Sequence, residues 1–392
     1  MKIIQYCQHV LGVGHLFRSL EISRALCAHR VILVTGGPPV ETGLPAHVRE
    51  FRLPDLQMDH NFKGLFSSNQ NLSVDQVRED RQKRLLALFK KEKPDLFLVE
   101  LYPFGRKAFR FELDPVLKAL REKRLAPCTV ISSVRDILVE KDDHGKHEAR
   151  VVKTLNRYFD GVLVHGDPGL IEIRETFGPF DEIKVPVKYT GYIAPGPSAG
   201  AGKNIRRQLG LDGREAFIVA SAGGGHVGAP LIKAVIQAFA RRQKDNCRLQ
   251  VFTGPFIDPR EFDGLKKVAS ARIRVDKFTP DFISYLAAAD LSVSMGGYNT
   301  TMNVLATRVP ALIWPFAQNR EQRLRARRLA ERGFLTVLED ADLQPDRLAS
   351  KMDRLLSRAN RPAAAINLDG AVNTAACIRD WPTTHRVNSD AI

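Results

Sequence analysis

Short apolar runs rich in β-branched residues alternate along this chain with longer stretches whose apolar residues recur at helical spacing. In the first half the runs are Lys2–Gln8, Val31–Gly37, Asp95–Glu100, Cys128–Asp136 and Gly161–Gly166, separated by helical patterns such as Leu16–Ala28 and Val74–Lys91. In the second half they are Ala216–Gly223, Arg248–Gly254, Arg272–Phe278, Leu291–Gly297, Pro310–Phe316 and Leu335–Glu339. Helical patterns again lie between them: Pro230–Arg242, Pro280–Ala289, Thr300–Thr307 and Glu321–Arg332. Strands that are apolar throughout, alternating with helices, predict parallel sheets covered on both faces. Two such series predict an α/β protein of two doubly wound, Rossmann-like domains.

A break separates the series. The stretch from Tyr192 to Gly202 is rich in Pro, Gly, Ala and Ser and has no periodic apolar face. It reads as a linker. The expected organisation is 1–194 as the first domain, 195–202 as linker, 203–366 as the second domain, and 367–392 as a C-terminal segment and tail. Gly202-Lys203 mimics the end of a phosphate-binding loop. The spacing from Gly196 is one residue too long, however, and Asn204 stands where Ser or Thr is needed, so a nucleoside triphosphate loop is rejected.

Each half opens with a strand that runs into glycines ending in histidine: Gly12-Val13-Gly14-His15 and Gly223-Gly224-Gly225-His226. Such a turn sets backbone N–H groups at a helix N-terminus, where the dipole favours an anion, and glycine lets the backbone approach a ligand closely. The competing reading is glycine for tight strand–helix packing. Ligands of doubly wound folds sit at the carboxyl ends of the strands, so two such domains facing each other are expected to enclose a cleft.

A third cluster, Gly296-Gly297-Tyr298-Asn299-Thr300-Thr301, follows an apolar strand and opens a helix. Asn299 or Thr300 can cap that helix, and its amides can hold a phosphate. Asp340-Ala341-Asp342 has the spacing of a metal-dependent transferase but follows the last strand, and no metal site is expected. Phe104, Phe109 and Phe111, interleaved with Arg106, Lys107 and Arg110, could face an acidic acceptor or a membrane surface; the start of an amphipathic helix is the favoured reading.

Composition narrows the classes. The chain has 392 residues, 44% hydrophobic and 26% charged, which excludes wholesale disorder. Its formal net charge is +15. Residues 1–195 carry about 30 basic against about 25 acidic side chains, and the remainder about 29 against about 19. A basic excess suits an anionic partner. No helix-turn-helix or RNA-binding signature accompanies it, so nucleic acid is not expected. Five isolated cysteines argue against a disulfide framework. Neither a signal peptide nor a membrane-spanning run is visible, and the expected location is cytoplasmic, with peripheral attachment to the inner membrane face left open.

The order of pieces resembles the GT-B glycosyltransferases of family 28, and is similar to a group of predicted bacterial glycosyltransferases. Gly12–His15, Gly296–Thr300, Glu100–Arg106 and Arg135-Asp136-Ile137 carry the likeness, which spans most of residues 1–340; the stretch Gly296–Gln322 is its more specific part. The resemblance implies transfer of a hexose-type sugar from a nucleoside diphosphate donor, usually a uridine one, with no cofactor and no bound metal. It implies an acceptor glycan, lipid-linked or small-molecule, on the first domain, near Gly12, Gly14, Arg106 and Arg135. On the second domain it places Gly223, Gly224 and Gly225 at the diphosphate, where His226 could add a donor or instead cap the helix. It places Gly297, Asn299, Thr300 and Thr301 at the phosphate-holding helix, Phe278 at the base, and Glu321 and Gln322 on the sugar hydroxyls. The family usually has Glu where this chain has Asn303, a neutral group and a weaker acceptor for the ribose diol.

An acceptor hydroxyl must lose a proton as it attacks, which suits a histidine. His15 is therefore the expected general base, with inversion at the anomeric carbon. A related branch of the fold pairs this histidine with an acid at a strand end, which implies Glu100 as its partner and Asp136 in reserve. The alternatives are a capping or core role for His15, and, for the protein, an epimerase or hydrolase of the same fold or a non-catalytic nucleotide-sugar binder.

Overall fold

The structure, a computed structural model, describes residues 1–8, 14–37, 43–58, 64–67, 72–138, 144–213, 215–225, 227–242, 246–357 and 366–382. The chain divides into two units, Met1–Ile193 with Asn367–Ile392, and Ala194–Ile366. The expected linker stops short of its C-terminal end, because Ala201 and Gly202 already belong to a helix.

Unit 1 is built from β1 (Lys2–Tyr6), α1 (Gly14–Ala25), β2 (Arg30–Thr35), β3 (Val48–Arg52), a short antiparallel pair β4 (Gln57–Met58) and β5 (Leu65–Phe66), α2 (Val74–Glu92), β6 (Leu96–Glu100), α3 (Arg110–Arg121), β7 (Thr129–Arg135), α4 (His144–Tyr158), β8 (Gly161–His165) and β9 (Val187–Tyr189). The main sheet has the order β3-β2-β1-β6-β7-β8-β9, and its neighbours pair in parallel. The strands expected from continuous apolar runs are present. β3 and β9 were not expected. They are short edge strands, and β3 (Val-Arg-Glu-Phe-Arg) lacks a continuous apolar run because only part of it is buried.

Successive strand residues face opposite sides, and two cores result. Ile4, Tyr6, Phe97 and Val99 face a cluster containing Leu85, Phe89, Leu113, Val116 and Leu155 from α2, α3 and α4. Ile3, Cys7, Leu98, Ile131 and Leu163 face the cluster of Leu16, Leu20 and Ile22 from α1. Phe104 and Phe109 are buried in the first of these cores, so the basic–aromatic segment does not present those two rings at a surface.

Unit 2 comprises α5 (Ala201–Gln208), β10 (Ala216–Ser221), α6 (Ala229–Arg241), β11 (Cys247–Phe252), α7 (Pro259–Lys266), β12 (Ile273–Asp276), α8 (Phe282–Ala288), β13 (Leu291–Met295), α9 (Tyr298–Thr307), β14 (Ala311–Trp314), α10 (Arg320–Glu331), β15 (Thr336–Val337) and α11 (Pro345–Leu356). Its sheet runs β12-β11-β10-β13-β14-β15, all parallel. Gly202 packs against α8: a Cβ there would lie 2.6 Å from the Ala287 carbonyl oxygen. That glycine serves helix packing, which explains the phosphate-loop mimicry.

The chain then returns to unit 1. Helix α12 (Gly370–Arg379) joins the α1 face through Ile378, and Trp381 follows it into the same core. Asn373 Nδ2 donates to the Thr190 carbonyl at 2.8 Å, and Gly370 N to that of Tyr192 at 3.0 Å. Among the described residues no helix is long and apolar enough to cross a membrane.

Candidate active site

In unit 1 the site forms where β1, β6 and β7 end. His15 is the second residue of α1, the helix that follows β1. Glu100 is the last residue of β6, the neighbour of β1 in the sheet. The register thus carries the two side chains together across 85 residues, with His15 Nδ1 2.6 Å from Glu100 Oε1. Glu100 is 3% exposed, and the His15 side chain keeps 24% of its surface open.

Two guanidinium groups share that carboxylate. Arg18, one helical turn after His15, donates through Nη2 to Oε1, and Arg106 donates through Nε to Oε2 at 3.2 Å. Burial alone pushes the Glu100 carboxyl up, but the His15 ring, Arg106 and Arg18 outweigh it and hold it well below its usual range. For His15 the largest influence is burial, which lowers its pKa; Glu100 pulls it up, and Arg106 and Arg135 push it down again. The net effect is a lowered pKa, and His15 is neutral at neutral pH. With Nδ1–H donated to Glu100, the lone pair of the neutral ring lies on Nε2.

Arg135 closes β7 and is half-buried. Asp136 is fully buried, and its Oδ2 accepts a hydrogen bond from the Tyr192 hydroxyl at 3.1 Å. Gly14 opens α1. Gly12 and His226 lie outside the described residues.

In unit 2 the glycine turns meet because their strands are neighbours. β10 and β13 pair with Ser221 opposite Ser294, so Gly223–Gly225 and Gly296-Gly297 leave the sheet side by side. Ser221 Oγ accepts from Gly223 N at 3.2 Å. The glycines divide into two kinds. Gly225 (φ +97°) is a packing glycine: a Cβ would lie 2.7 Å from Thr253 O and 2.8 Å from Ile257 N. At Gly224 the nearest atom to a Cβ is Phe256 Cδ2 at 3.9 Å, at Gly223 (φ +64°) it is Thr300 Oγ1 at 4.0 Å, and at Gly297 nothing lies within 4 Å. The backbone is therefore open at Gly223, Gly224 and Gly297, as close approach of a ligand requires.

Gly297 is the N-cap of α9 and has no side chain to cap it. The first-turn amides at Tyr298, Asn299 and Thr300 stand beside the glycine turn, an arrangement suited to a diphosphate. Thr300 and Thr301 are buried, and Asn303, half-buried, lies one turn below Asn299. Phe278 is 55% exposed just beyond β12, and Phe256, which sequence reasoning did not single out, is 45% exposed after β11. These flat apolar groups at the strand ends suit stacking against a base.

Glu321 and Gln322 are held more tightly than the sequence implied. Glu321 is 6% exposed and pairs with Arg325, whose guanidinium lies 4.9 Å from the Tyr298 ring centroid. Gln322 Oε1 accepts from Phe316 N at 3.0 Å, and Gln322 N donates to the N-cap Asn319 at 3.0 Å. Asp340 accepts from Trp314 Nε1 and Asp342 from Lys351 Nζ, each at 2.9 Å. The Asp-x-Asp pair thus ties its turn to β14 through Asp340 and to α11 through Asp342.

The glycosyltransferase family 28 C-terminal domain matches residues 219–374, running past the end of unit 2 into the segment that rejoins unit 1. The chain is family 28-like and has the GT-B fold. One relative is the UDP-N-acetylglucosamine–N-acetylmuramyl-(pentapeptide) pyrophosphoryl-undecaprenol N-acetylglucosamine transferase of Carboxydothermus hydrogenoformans, 29% identical over 39% of this chain and 41% of that protein. The family 28-like chain thus spans about two-fifths of the length of that curated relative. An uncharacterized glycosyltransferase of Methanosarcina mazei is 21% identical over 83% of both chains. The crystal structure of CalG4, the calicheamicin glycosyltransferase, superposes with a TM-score of 0.60 at 16% identity, covering 99% of each chain.

Proposed function

We propose that the protein is a metal-independent glycosyltransferase. Unit 2 holds a nucleoside diphosphate sugar, and unit 1 supplies the base that activates an acceptor hydroxyl. The observation that carries this reading is that every described donor-side residue, from Gly223 to Gln322, lies within the stretch matched by the family 28 domain. A uridine donor is favoured by the name of the Carboxydothermus relative, which specifies UDP-N-acetylglucosamine.

In the proposed reaction His15 Nε2 takes the proton of the acceptor hydroxyl. The acceptor oxygen forms a bond to the anomeric carbon, and the bond from that carbon to the diphosphate breaks, its electron pair leaving with the diphosphate. Backbone amides at Gly223, Gly224 and the start of α9 stabilise the charge that develops on the leaving group. Glu100 fixes the His15 tautomer and stabilises the ring once it is protonated. Attack from the face opposite the leaving group inverts the anomeric configuration.

A thermal-shift screen of the full chain against nucleotide sugars tests the donor half. A cognate donor stabilises the fold through mass action while matched salts do not. If none of the UDP-, TDP-, GDP- or ADP-sugars shifts the transition, the reading fails.

A further inference from the structure

Arg81 of α2 and Glu112 of α3 form a fully buried ion pair in unit 1 that the proposed reaction does not use. Arg81 Nε and Nη2 donate to the two oxygens of the Glu112 carboxylate, each at 2.7 Å. Nη1 donates to the carbonyls of Pro54 at 2.6 Å and Gly36 at 3.2 Å, and Nη2 donates again to Gln8 Oε1 at 2.9 Å. Each N–H of the guanidinium thus has an acceptor, and the Tyr6 hydroxyl donates to Glu112 Oε1. One donor of this cluster is left over. Gln8 is fully buried, and its Nε2 has no hydrogen-bond partner among the described residues.

Arg81 also settles which end of the amide is spare. A guanidinium only donates, so the atom facing it is the amide oxygen, and Nε2 with its two N–H groups is turned away from it. Gly36 closes the other side of that oxygen: a Cβ there would lie 2.7 Å from Gln8 Oε1. A buried donor fixed in this way costs free energy until an acceptor is supplied.

The position of Gln8 identifies what supplies it. From β1 the chain passes to β2 and β3 on one side of the sheet, and β6 lies on the other side of β1. Such a reversal of strand order opens a crevice beyond the carboxyl ends of the two central strands, where doubly wound folds bind their ligands. Gln8 stands two residues past the end of β1. Cys7 belongs to the core under α1, and Gln8, the next residue, turns to the opposite face, toward Arg81 of α2. His15 and Glu100 meet at the same strand ends from the α1 side. A molecule in the crevice is therefore flanked by the His15 ring and by the spare N–H groups of Gln8.

We propose that Gln8 contacts the acceptor, its Nε2 donating to an uncharged oxygen, a sugar hydroxyl or an amide carbonyl, close to the hydroxyl that His15 deprotonates. This inference rests on the glycosyltransferase reading. The oxygen is uncharged because the amide carries no charge and the neighbouring Arg81 is already matched by Glu112. A site that offers a buried hydrogen bond rejects molecules lacking the oxygen to accept it, so Gln8 selects among acceptors.

The test follows the side-chain amide of Gln8 by NMR in the labelled, deuterated full chain, its signal assigned through the Gln8 backbone. The methyl glycosides of glucose, galactose, mannose and N-acetylglucosamine are titrated in turn. The expected result is a saturable movement of the Gln8 amide with at least one of them. Affinity for that glycoside, read at the His15 ring, should be about tenfold weaker in Gln8→Met, while UDP affinity is unchanged. Movement with the N-acetylated glycoside alone assigns a carbonyl, and movement with the plain hexosides a hydroxyl. Gln8→Met keeps the bulk of the side chain and leaves Arg81 its bonds to Glu112, Gly36 and Pro54. If it does not fold, Gln8→Leu takes its place, and if neither folds, the wild-type titration decides alone. No saturable movement of the Gln8 amide with any of the glycosides, or equal affinity in the wild type and the variant, overturns the proposal. Failure of the wild type to bind UDP overturns the donor reading instead and leaves the Gln8 result readable.

Discussion

His15 and Arg18, one turn apart on α1, meet the same oxygen of Glu100. A histidine beside a lone carboxylate becomes more basic. Here burial lowers the pKa of the ring more than Glu100 raises it, Arg106 and Arg135 add to the lowering, and the ring stays neutral. The arrangement favours a defined tautomer over a high pKa.

On the proposed reading, the free protein should therefore keep His15 unprotonated between pH 8 and pH 6. We expect kcat/KM, which reports the free enzyme, to stay level across that interval once donor and acceptor are known. A decline centred near pH 6.5 that is lost with the activity in His15→Gln would contradict the assignment. His15→Ala is expected to cut turnover by roughly 10²–10⁴ with donor affinity preserved, and unchanged turnover would remove the role.

Glu100→Gln should lower stability as well as activity. It removes the charge that answers Arg18 and Arg106, and leaving buried cations without their counter-charge costs about 3 kcal/mol or more. Chemical denaturation of the full chain measures this. A loss below about 1 kcal/mol would mean that the three-way ion pair contributes little.

His165 predicts acid lability of unit 1. It is fully buried, with Nε2 2.6 Å from Ser133 Oγ and Nδ1 2.9 Å from Thr190 Oγ1, and burial lowers its pKa from 6.5 to about 3. Between those values the unfolded chain binds a proton that the folded chain does not, so stability falls as the pH falls. The loss from this one ring reaches about 2 kcal/mol by pH 5. Denaturant midpoints from pH 8 to pH 5 should show the decline, and a His165→Asn variant should show less of it.

Two glycines in one turn should respond differently. Gly225→Ala forces a Cβ to within 2.8 Å of backbone atoms at φ +97°, so stability should fall. Gly224→Ala meets nothing closer than 3.9 Å and should leave the melting temperature nearly unchanged. If the diphosphate rests on this backbone, Gly224→Ala still weakens UDP binding, by about tenfold or more. Full UDP affinity in a folded Gly224→Ala protein would place the ligand elsewhere.

The C-terminal segment should be a structural part of unit 1. A Cβ on Gly161 of β8 would lie 2.0 Å from Trp381, so strand and indole pack without a gap. Trp381→Ala should cost about 3–5 kcal/mol, measured by calorimetry. A change under 1 kcal/mol would show that the segment is only loosely attached.

The apolar runs and the glycine punctuation were enough to predict two parallel α/β units, because a strand buried on both faces must be apolar throughout and helices repeat at their own period. The same patterns marked His15, Gly223, Gly297 and the polar start of α10 as candidates. Local pattern could not show that Arg18 reaches Glu100, that Phe104 and Phe109 belong to a core, or that residues 367–382 return to unit 1. Nor could it separate the open Gly224 from the packed Gly225. Each of these depends on which strands are neighbours and in what register. That pairing links residues far apart in the chain, so only the folded sheets decided which side chains meet at their ends.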